Sequence, residues 1–290
     1  MKILIFGAKG LIGRSLFNQL RRAGYDVIGT IRHKDDISFF DHKDSRFLEI
    51  TGEIKCDNFI IKLIEKVKPA IIINCLGITK HVSGNFKTHQ LIEINSQFPH
   101  FLSFFANDLD YRMISFGTDC VFSGKKGDYT ENDISDAEDL YGKSKFLGEV
   151  YDSERVLTLR TSFVGHSAQS QLGLIDWFLS ASGSVKGFKR AIYTGLTTIE
   201  LGNFLMNYIF ENNNLSGLYN LSGPKITKYD LLKLVKKTYS IDTNIEPEED
   251  IFIDRSLDSS KLRAKTNYSS PSWEETILEM FEDFNKVATK

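Results

Sequence analysis

The sequence predicts an α/β fold, with a doubly wound parallel sheet and a smaller C-terminal α/β lobe. Three observations predict it. Short apolar runs alternate with longer segments of helical apolar spacing through the first 160 or so residues. Runs such as "AIIIN" are continuous and β-branched, as in strands buried on both faces. A glycine-rich turn separates the first strand from the first helix.

The elements follow in order. "KILIFGA" is a strand, and "LIGRSLFNQLRRAG" a helix ending at Gly24. "DVIGTI" is a second strand and "RFLEI" a weak third. "CDNFIIKLIEKVKP" is a helix capped by Asp57 and stopped by Pro69. "AIIINCLG" is a strand, "THQLIEINSQFPHFLSFFAND" one long helix and "YRMISFG" the next strand. "DLYGKSKFLGEVYDS" reads as a helix and "RVLTLRT" as a strand. Beyond Arg160 the segments lengthen and fill with Gly, Ser and Asn, as in "SASGSVKGF" and "ENNNLSG". A dinucleotide-binding domain over 1–162 and a substrate-binding lobe over 163–290 are expected, with "GLYNLSG" (217–223) returning one strand to the sheet. "KYDLLKLVKKTYS" and "SWEETILEMFEDFNKVA" are helices of the lobe.

Bulk properties narrow the function. The chain has 290 residues, 41% hydrophobic and 26% charged, the balance of a globular protein with a full core. A net charge of −2 gives no footprint for nucleic acid or an anionic membrane. The opening apolar run is too short for a signal core or a membrane span. Cys56, Cys75 and Cys120 are odd in number and widely spaced, which points to reduced thiols in the cytoplasm and against a zinc site. A homodimer is left open.

"GAKGLIG" sets Gly7, Gly10 and Gly13 between strand and helix. The first allows the tight turn, the second lets backbone approach a pyrophosphate, and the third lets helix and strand pack closely. Leu11 and Ile12 begin the helix whose free N–H groups would face the phosphates. This is the signature of a Rossmann-type dinucleotide site, with G-x-x-G-x-x-G spacing. The second strand ends "GTIRHK", where an NAD site usually has an acid. Thr30 and Arg32 suit a 2′-phosphate, so NADP is expected, with NAD as the alternative.

"YGKSK" places Tyr141 and Lys145 on one helix face. An ammonium near a phenol and a nicotinamide ribose lowers the phenol's pKa and lets it exchange protons near neutrality. The same spacing recurs at Tyr229 and Lys233, inside an apolar helix stripe, where packing is the expected role. Tyr141 instead follows Thr118, at the end of a strand, by 23 residues.

With these pieces the chain resembles the extended short-chain dehydrogenase/reductases, and more narrowly the dTDP-4-dehydrorhamnose reductase-like group. "GAKGLIG", "NCLG", Ile94–Asn95, "SFGTDCVFSGKKGDYTEND", "YGKSKFLGE" and "LRTSFVG" carry the resemblance, which thins after about residue 200. It implies NADPH-dependent reduction of the 4-keto group of a nucleotide-activated sugar, for surface polysaccharide. Thr118 would hold the C4 oxygen, Tyr141 would give it a proton, and Lys145 would hold the nicotinamide ribose. Asn74, Leu76 and Gly77 would line the cofactor. Asn95 would have a structural or relay role, and Arg160–Thr161–Ser162 would lie near the nicotinamide.

For the lobe, Lys186 and Arg190 are candidates for a diphosphate, Trp177, Phe188 or Tyr193 for a base, and Thr197 in "GLTT" for the sugar nucleotide. Related 4,6-dehydratases carry Thr-Asp-Glu where this chain has Thr118-Asp119-Cys120, so the base for elimination is absent and Asp119 would orient the turn. Cys120 has two readings. It is a small apolar filler, or, as in the similar GDP-fucose synthase, a thiol that moves a ring proton, with His166 as a conceivable partner. An epimerase, an epimerase–reductase and a non-catalytic dinucleotide-binding subunit are the competing readings of the whole.

Overall fold

The protein is described by a computed structural model over residues 1–80, 86–167, 173–212 and 214–288. Six strands, β1 (Lys2–Phe6), β2 (Asp26–Ile31), β3 (Leu48–Ile50), β4 (Ile71–Asn74), β5 (Arg112–Phe116) and β6 (Val156–Arg160), form one sheet with a seventh, Gly217–Asn220. Their order is Gly217–Asn220, β6, β5, β4, β1, β2, β3. Every pairing from β3 across to β6 is parallel. The order in which strands are added reverses between β1 and β4, and ligands of such sheets bind at the carboxyl ends of the strands beside this switch point. The turns after β1 and β4 lie there.

α1 (Leu11–Arg22) and α2 (Asn58–Val67) form as expected. Asp57 accepts from the backbone N–H of Phe59 at 3.0 Å and Ile60 at 3.4 Å, which satisfies donors that the first helical turn leaves open. α2 ends at Lys68, in the left-handed region at φ 51°, just before Pro69. One face of the sheet packs Leu4, Phe6, Ile72 and Met113 with Ile64, Phe98 and Leu102 from the helices. Burial of each such side chain contributes about 1.5–3 kcal/mol.

Two helices differ from expectation, and both differences shape the site. The long helix over 88–108 is α3 (Thr88–Ile92), a π-helical turn over Glu93–Gln97, and α4 (Phe98–Phe105). Pro99 has no N–H and would crowd the carbonyl four residues back, that of Asn95; a wider turn relieves this. The helix expected over 139–153 is only α5 (Leu140–Leu147). It stops at Gly148, where a Cβ would lie 1.9 Å from the carbonyl oxygen of Asn95. The early stop lets Glu149 leave the helix axis and reach β6.

By contacts the chain divides into two compact units. The first is Met1–Thr118, Glu138–Arg160 and Asn212–Tyr219; the second is Asp119–Ala137, Thr161–Glu211 and Asn220–Lys290. The second unit contains a parallel strand pair, Ser184–Phe188 with Asn244–Glu248, and a three-stranded sheet centred on Ala191–Tyr193. Its core joins Ile175 and Phe178 to Leu231, Leu232 and Val235 of the helix Lys228–Tyr239, and to Ile277 and Met280 of Trp273–Ala288. No helix of the described residues is long and apolar enough to cross a membrane.

Candidate active site

In the first unit the phosphate turn is locked by its own backbone. Gly7 adopts φ 81°, and Gly10 N donates to its carbonyl at 3.1 Å. A Cβ on Gly13 would sit 2.1 Å from that same carbonyl oxygen, so α1 can start this close to β1 only with glycine there. Gly10 caps α1 without a side chain, and Leu11 and Ile12 are its first residues. Anion-seeking N–H groups therefore lie at the carboxyl end of β1.

Thr30 is buried, and its hydroxyl accepts from Gly7 N at 3.0 Å; it clasps the turn from β2. Arg32 is about half exposed, and its guanidinium is paired with Glu53. A feature the sequence reading missed is Asp36, buried in the same loop. It takes Lys9 Nζ at 2.7 Å and His33 N at 2.9 Å. The loop's charge is thus more balanced than "IRHK" alone suggests.

After β4, Asn74 Oδ1 accepts from Leu76 N at 3.2 Å, which shapes the turn. Leu76 packs over Gly7, 2.8 Å from where a Cβ would be. Gly77 lies open, with the nearest heavy atoms to its own Cβ position being Asn95 Oδ1 at 3.8 Å and Lys145 Nζ at 4.0 Å. Asn95 holds this turn to α5. Its Oδ1 accepts from Ile78 N at 2.8 Å, and its Nδ2 donates to Ile78 O at 3.0 Å and to Ser144 Oγ at 3.1 Å. Ser96 Oγ adds a bond to Ser144 O at 2.7 Å. The π turn thereby presents two successive side chains to the helix that carries Tyr141 and Lys145.

Asp139 caps α5, accepting from Gly142 N at 2.8 Å. Tyr141 is half-buried in its first turn, and Lys145 is buried one turn on. Lys145 Nζ donates to Phe116 O at 2.7 Å, at the end of β5 and two residues before the buried Thr118. Burial pushes this ammonium down to about 8, while Glu149 and then Cys75 pull it up. Behind it, Arg160 makes a two-pronged bond to Glu149, Nε to Oε1 and Nη2 to Oε2 both at 2.7 Å, with each side chain 2% exposed. Burial pushes the Glu149 carboxyl up, against the Arg160 contact. Glu149 was not singled out from the sequence, although the spacing Tyr141, Lys145, Glu149 was visible there.

In the second unit, Asp119 is buried and its Oδ2 accepts from Ser162 Oγ at 2.9 Å. Cys120 is half-buried with Sγ 3.8 Å from Arg255 Nη1, and Arg255 Nε donates to Phe122 O at 2.8 Å. His166, considered as a partner for Cys120, instead lies between Asp176 at 3.0 Å and the Tyr239 hydroxyl at 2.7 Å, stacked on Phe284. Thr197 is fully buried and caps the helix Thr198–Phe204 through Glu200 N. Lys186 is paired with Glu248 at 2.8 Å, and Arg190 lies 5.1 Å over the Phe252 ring. Tyr193 packs in the core, 5.5 Å from Trp273. Trp177 is 37% exposed, with Lys228, another residue the sequence reading passed over, 5.1 Å above its ring. No cluster of His, Cys, Asp and Glu among the described residues could hold a metal ion.

A doubly wound sheet with a glycine phosphate turn, and a Tyr-x-x-x-Lys helix opposite the end of β5, is the architecture of the extended short-chain dehydrogenases/reductases. Within it, this chain belongs to the RmlD substrate binding domain family, whose model matches residues 1–286. It is 29% identical over 219 residues to the probable low-salt glycan biosynthesis reductase Agl14 of Haloferax volcanii, covering 69% of this chain and 70% of that protein. It is 30% identical over 167 residues to a dTDP-4-dehydrorhamnose reductase of Aggregatibacter actinomycetemcomitans, covering 56% of this chain and 51% of that one. The second match thus spans about half the relative's length. Among solved structures, a Bacillus anthracis dTDP-4-dehydrorhamnose reductase in complex with NADP superposes with a TM-score of 0.77 at 18% identity, covering 97% of this chain and 99% of that chain.

Proposed function

We propose that this protein reduces the 4-keto group of a nucleotide-activated deoxysugar with NADPH, in the making of surface polysaccharide. The observation that carries the reading is the buried Lys145 ammonium. It is held by the Phe116 carbonyl beside the Thr118 turn, one helical turn from Tyr141. The names of the relatives support the substrate class.

The residues fit a dinucleotide, since the glycine turn leaves backbone where a Cβ would collide and α1 begins without a side-chain cap. Gly7, Gly10, Leu11, Ile12 and Gly13 would hold the pyrophosphate, and Asn74, Leu76 and Gly77 would line the nicotinamide half. Arg32, released from Glu53, would meet a 2′-phosphate. The bound cofactor supplies the hydride. Thr118 donates a hydrogen bond to the C4 oxygen and keeps it in place. Tyr141 gives that oxygen its proton, and Lys145 holds the phenol's pKa down by its charge. The position after Asp119 is a cysteine, so the carboxylate that a dehydratase uses at this turn is missing.

The test is loss of NADPH absorbance with a panel of 4-keto-6-deoxy nucleotide sugars. No turnover on any of them, or a Tyr141→Phe variant as fast as the parent, would end this reading. A second reading, reduction coupled to epimerisation, rests on Cys120 beside Arg255, a cation that favours the thiolate. Deuterium from D₂O appearing beside C4, and lost in Cys120→Ser, supports that reading; unlabelled product excludes it. A cytoplasmic enzyme acting as a homodimer completes the proposal. The apolar side chains that α4 and α5 leave exposed, Phe104 and Leu147, support self-association, and sedimentation equilibrium measures it.

A further inference from the structure

Glu149 is a buried carboxylate that the proposed reaction does not use. Arg160 grips it with two bonds, Nε to Oε1 and Nη2 to Oε2, both at 2.7 Å. Two charge-assisted bonds favour the ionised carboxylate, against the burial that pushes its pKa up. A buried ion pair adds little stability over apolar side chains of the same size, so stability alone does not account for this one. Its location does. A Cβ on Gly117 would meet Arg160 Cγ at 3.1 Å and Glu149 Oε1 at 3.2 Å, so the pair packs flush against that residue. Gly117 follows Phe116, whose carbonyl takes Lys145 Nζ at 2.7 Å, and precedes Thr118. Its N–H donates to Leu159 O at 2.8 Å, beside Arg160 on β6. The ion pair therefore backs the short segment that meets both Lys145 and the proposed substrate.

The groups whose charge reaches Lys145 are Glu149, just past its own helix, and Cys75, in the turn after β4. Burial pushes the Cys75 thiol far up, so it is neutral through the working range. Tyr141, one turn back on α5, is neutral until it gives up its proton. The charge of Arg160, on β6, is matched by Glu149. Glu149 is thus the anion that offsets the buried ammonium. We propose that Glu149 is the positioning residue of the Tyr-x-x-x-Lys helix: its carboxylate, clamped by Arg160, keeps Lys145 charged and braces the Phe116–Thr118 segment that receives it. The inference rests on the reading of Tyr141 as the proton donor to the C4 oxygen.

Carbon-13 NMR of the full chain with labelled lysine follows Lys145 directly, its signal identified by its loss in Lys145→Met. Glu149→Gln keeps the size of the side chain and an oxygen for Arg160 Nε, and removes the charge. The Lys145 midpoint, about 8 in the parent, should fall by about one pH unit or more. Glu149→Asp, which keeps the charge, should restore most of that shift. The ratio of parent to Glu149→Gln kcat/KM should then grow about tenfold from pH 6 to pH 9. Where Glu149→Gln leaves Arg160 stranded and does not fold, the double variant Glu149→Met/Arg160→Met buries no lone charge of that pair and carries the same test. An unshifted Lys145 midpoint overturns the proposal, as does a loss of activity that is the same at every pH, the result of a purely structural pair. The two proposals fail separately. A Lys145 midpoint that depends on Glu149, without turnover of any 4-keto sugar, sinks the reductase and keeps this assignment. Turnover with an unshifted midpoint sinks the assignment alone.

Discussion

Tyr-x-x-x-Lys occurs twice on helices of this chain, and the two copies have little in common beyond their spacing. Lys145 is buried, donates to a backbone carbonyl at 2.7 Å, and lies under the influence of a buried carboxylate. Lys233 is exposed and lies 5.4 Å over the ring of its own Tyr229, which also carries Lys189 at 6.0 Å. A lysine ring contact on an exposed helix face adds a little stability and no chemistry. What separates the copies is the environment of the ammonium. Burial makes the charge of Lys145 felt by its neighbours and titratable near neutrality, whereas Lys233 stands in water.

The comparison breaks most cleanly at the lysines. Lys145→Met and Tyr141→Phe should each lower turnover about 10²–10⁴-fold, the usual weight of a positioned proton donor. Lys233→Met and Tyr229→Phe should leave NADPH-coupled turnover unchanged. Equal losses in both pairs would mean that the burial, and not the spacing, was the wrong thing to trust.

Ion pairs repeat the contrast. Arg160 and Glu149 are both 2% exposed and doubly hydrogen-bonded. Arg160→Met strands a buried carboxylate and should cost about 3–5 kcal/mol of unfolding free energy by urea titration. Lys186→Met removes an ion pair of the second unit's surface and should not shift the urea midpoint measurably. Glycines give a smaller version. A Cβ on Gly187 would press within 2.7 Å of the Tyr229 ring, so Gly187→Ala should cost about 1–3 kcal/mol and spare NADPH binding. Gly13→Ala, 2.1 Å from backbone, should abolish that binding.

Most of the first unit was legible because its signals are local. Asp57 capping α2, the glycines opening α1 and the β-branched run of β4 each act within a few residues of themselves. Where the reading failed, a distant partner decided. Nothing near Gly148 announces that the Asn95 carbonyl will sit against it, yet that approach ends α5 and frees Glu149 for Arg160. The basic look of "IRHK" likewise ignores Glu53, which arrives from later in the chain. In the lobe, Lys186 reads as an anion ligand in sequence, and only the strand paired alongside shows that Glu248 already takes its charge.

The finest test of the comparison is pH, where stability and activity should move in opposite directions. Lys145 titrates at about 8 in the folded protein, below the 10.5 of a free lysine, chiefly because of burial. Between these values the unfolded chain binds more protons than the folded one, so this group makes stability rise with pH across that window. Below pH 8 both states are protonated and the full cost of the buried charge is present. Lys145→Met removes that cost. Its melting temperature should exceed the parent's at pH 7, and the gap should close toward pH 10.5. Activity has the reverse sign. Above pH 8 the ammonium that tunes Tyr141 is lost, so the parent's kcat/KM should fall tenfold per pH unit on the alkaline side. At Lys233 nothing buries the charge, and Lys233→Met should alter neither profile. A melting-temperature gap between parent and Lys145→Met that stays constant from pH 7 to 10 would show that the two lysines are alike after all.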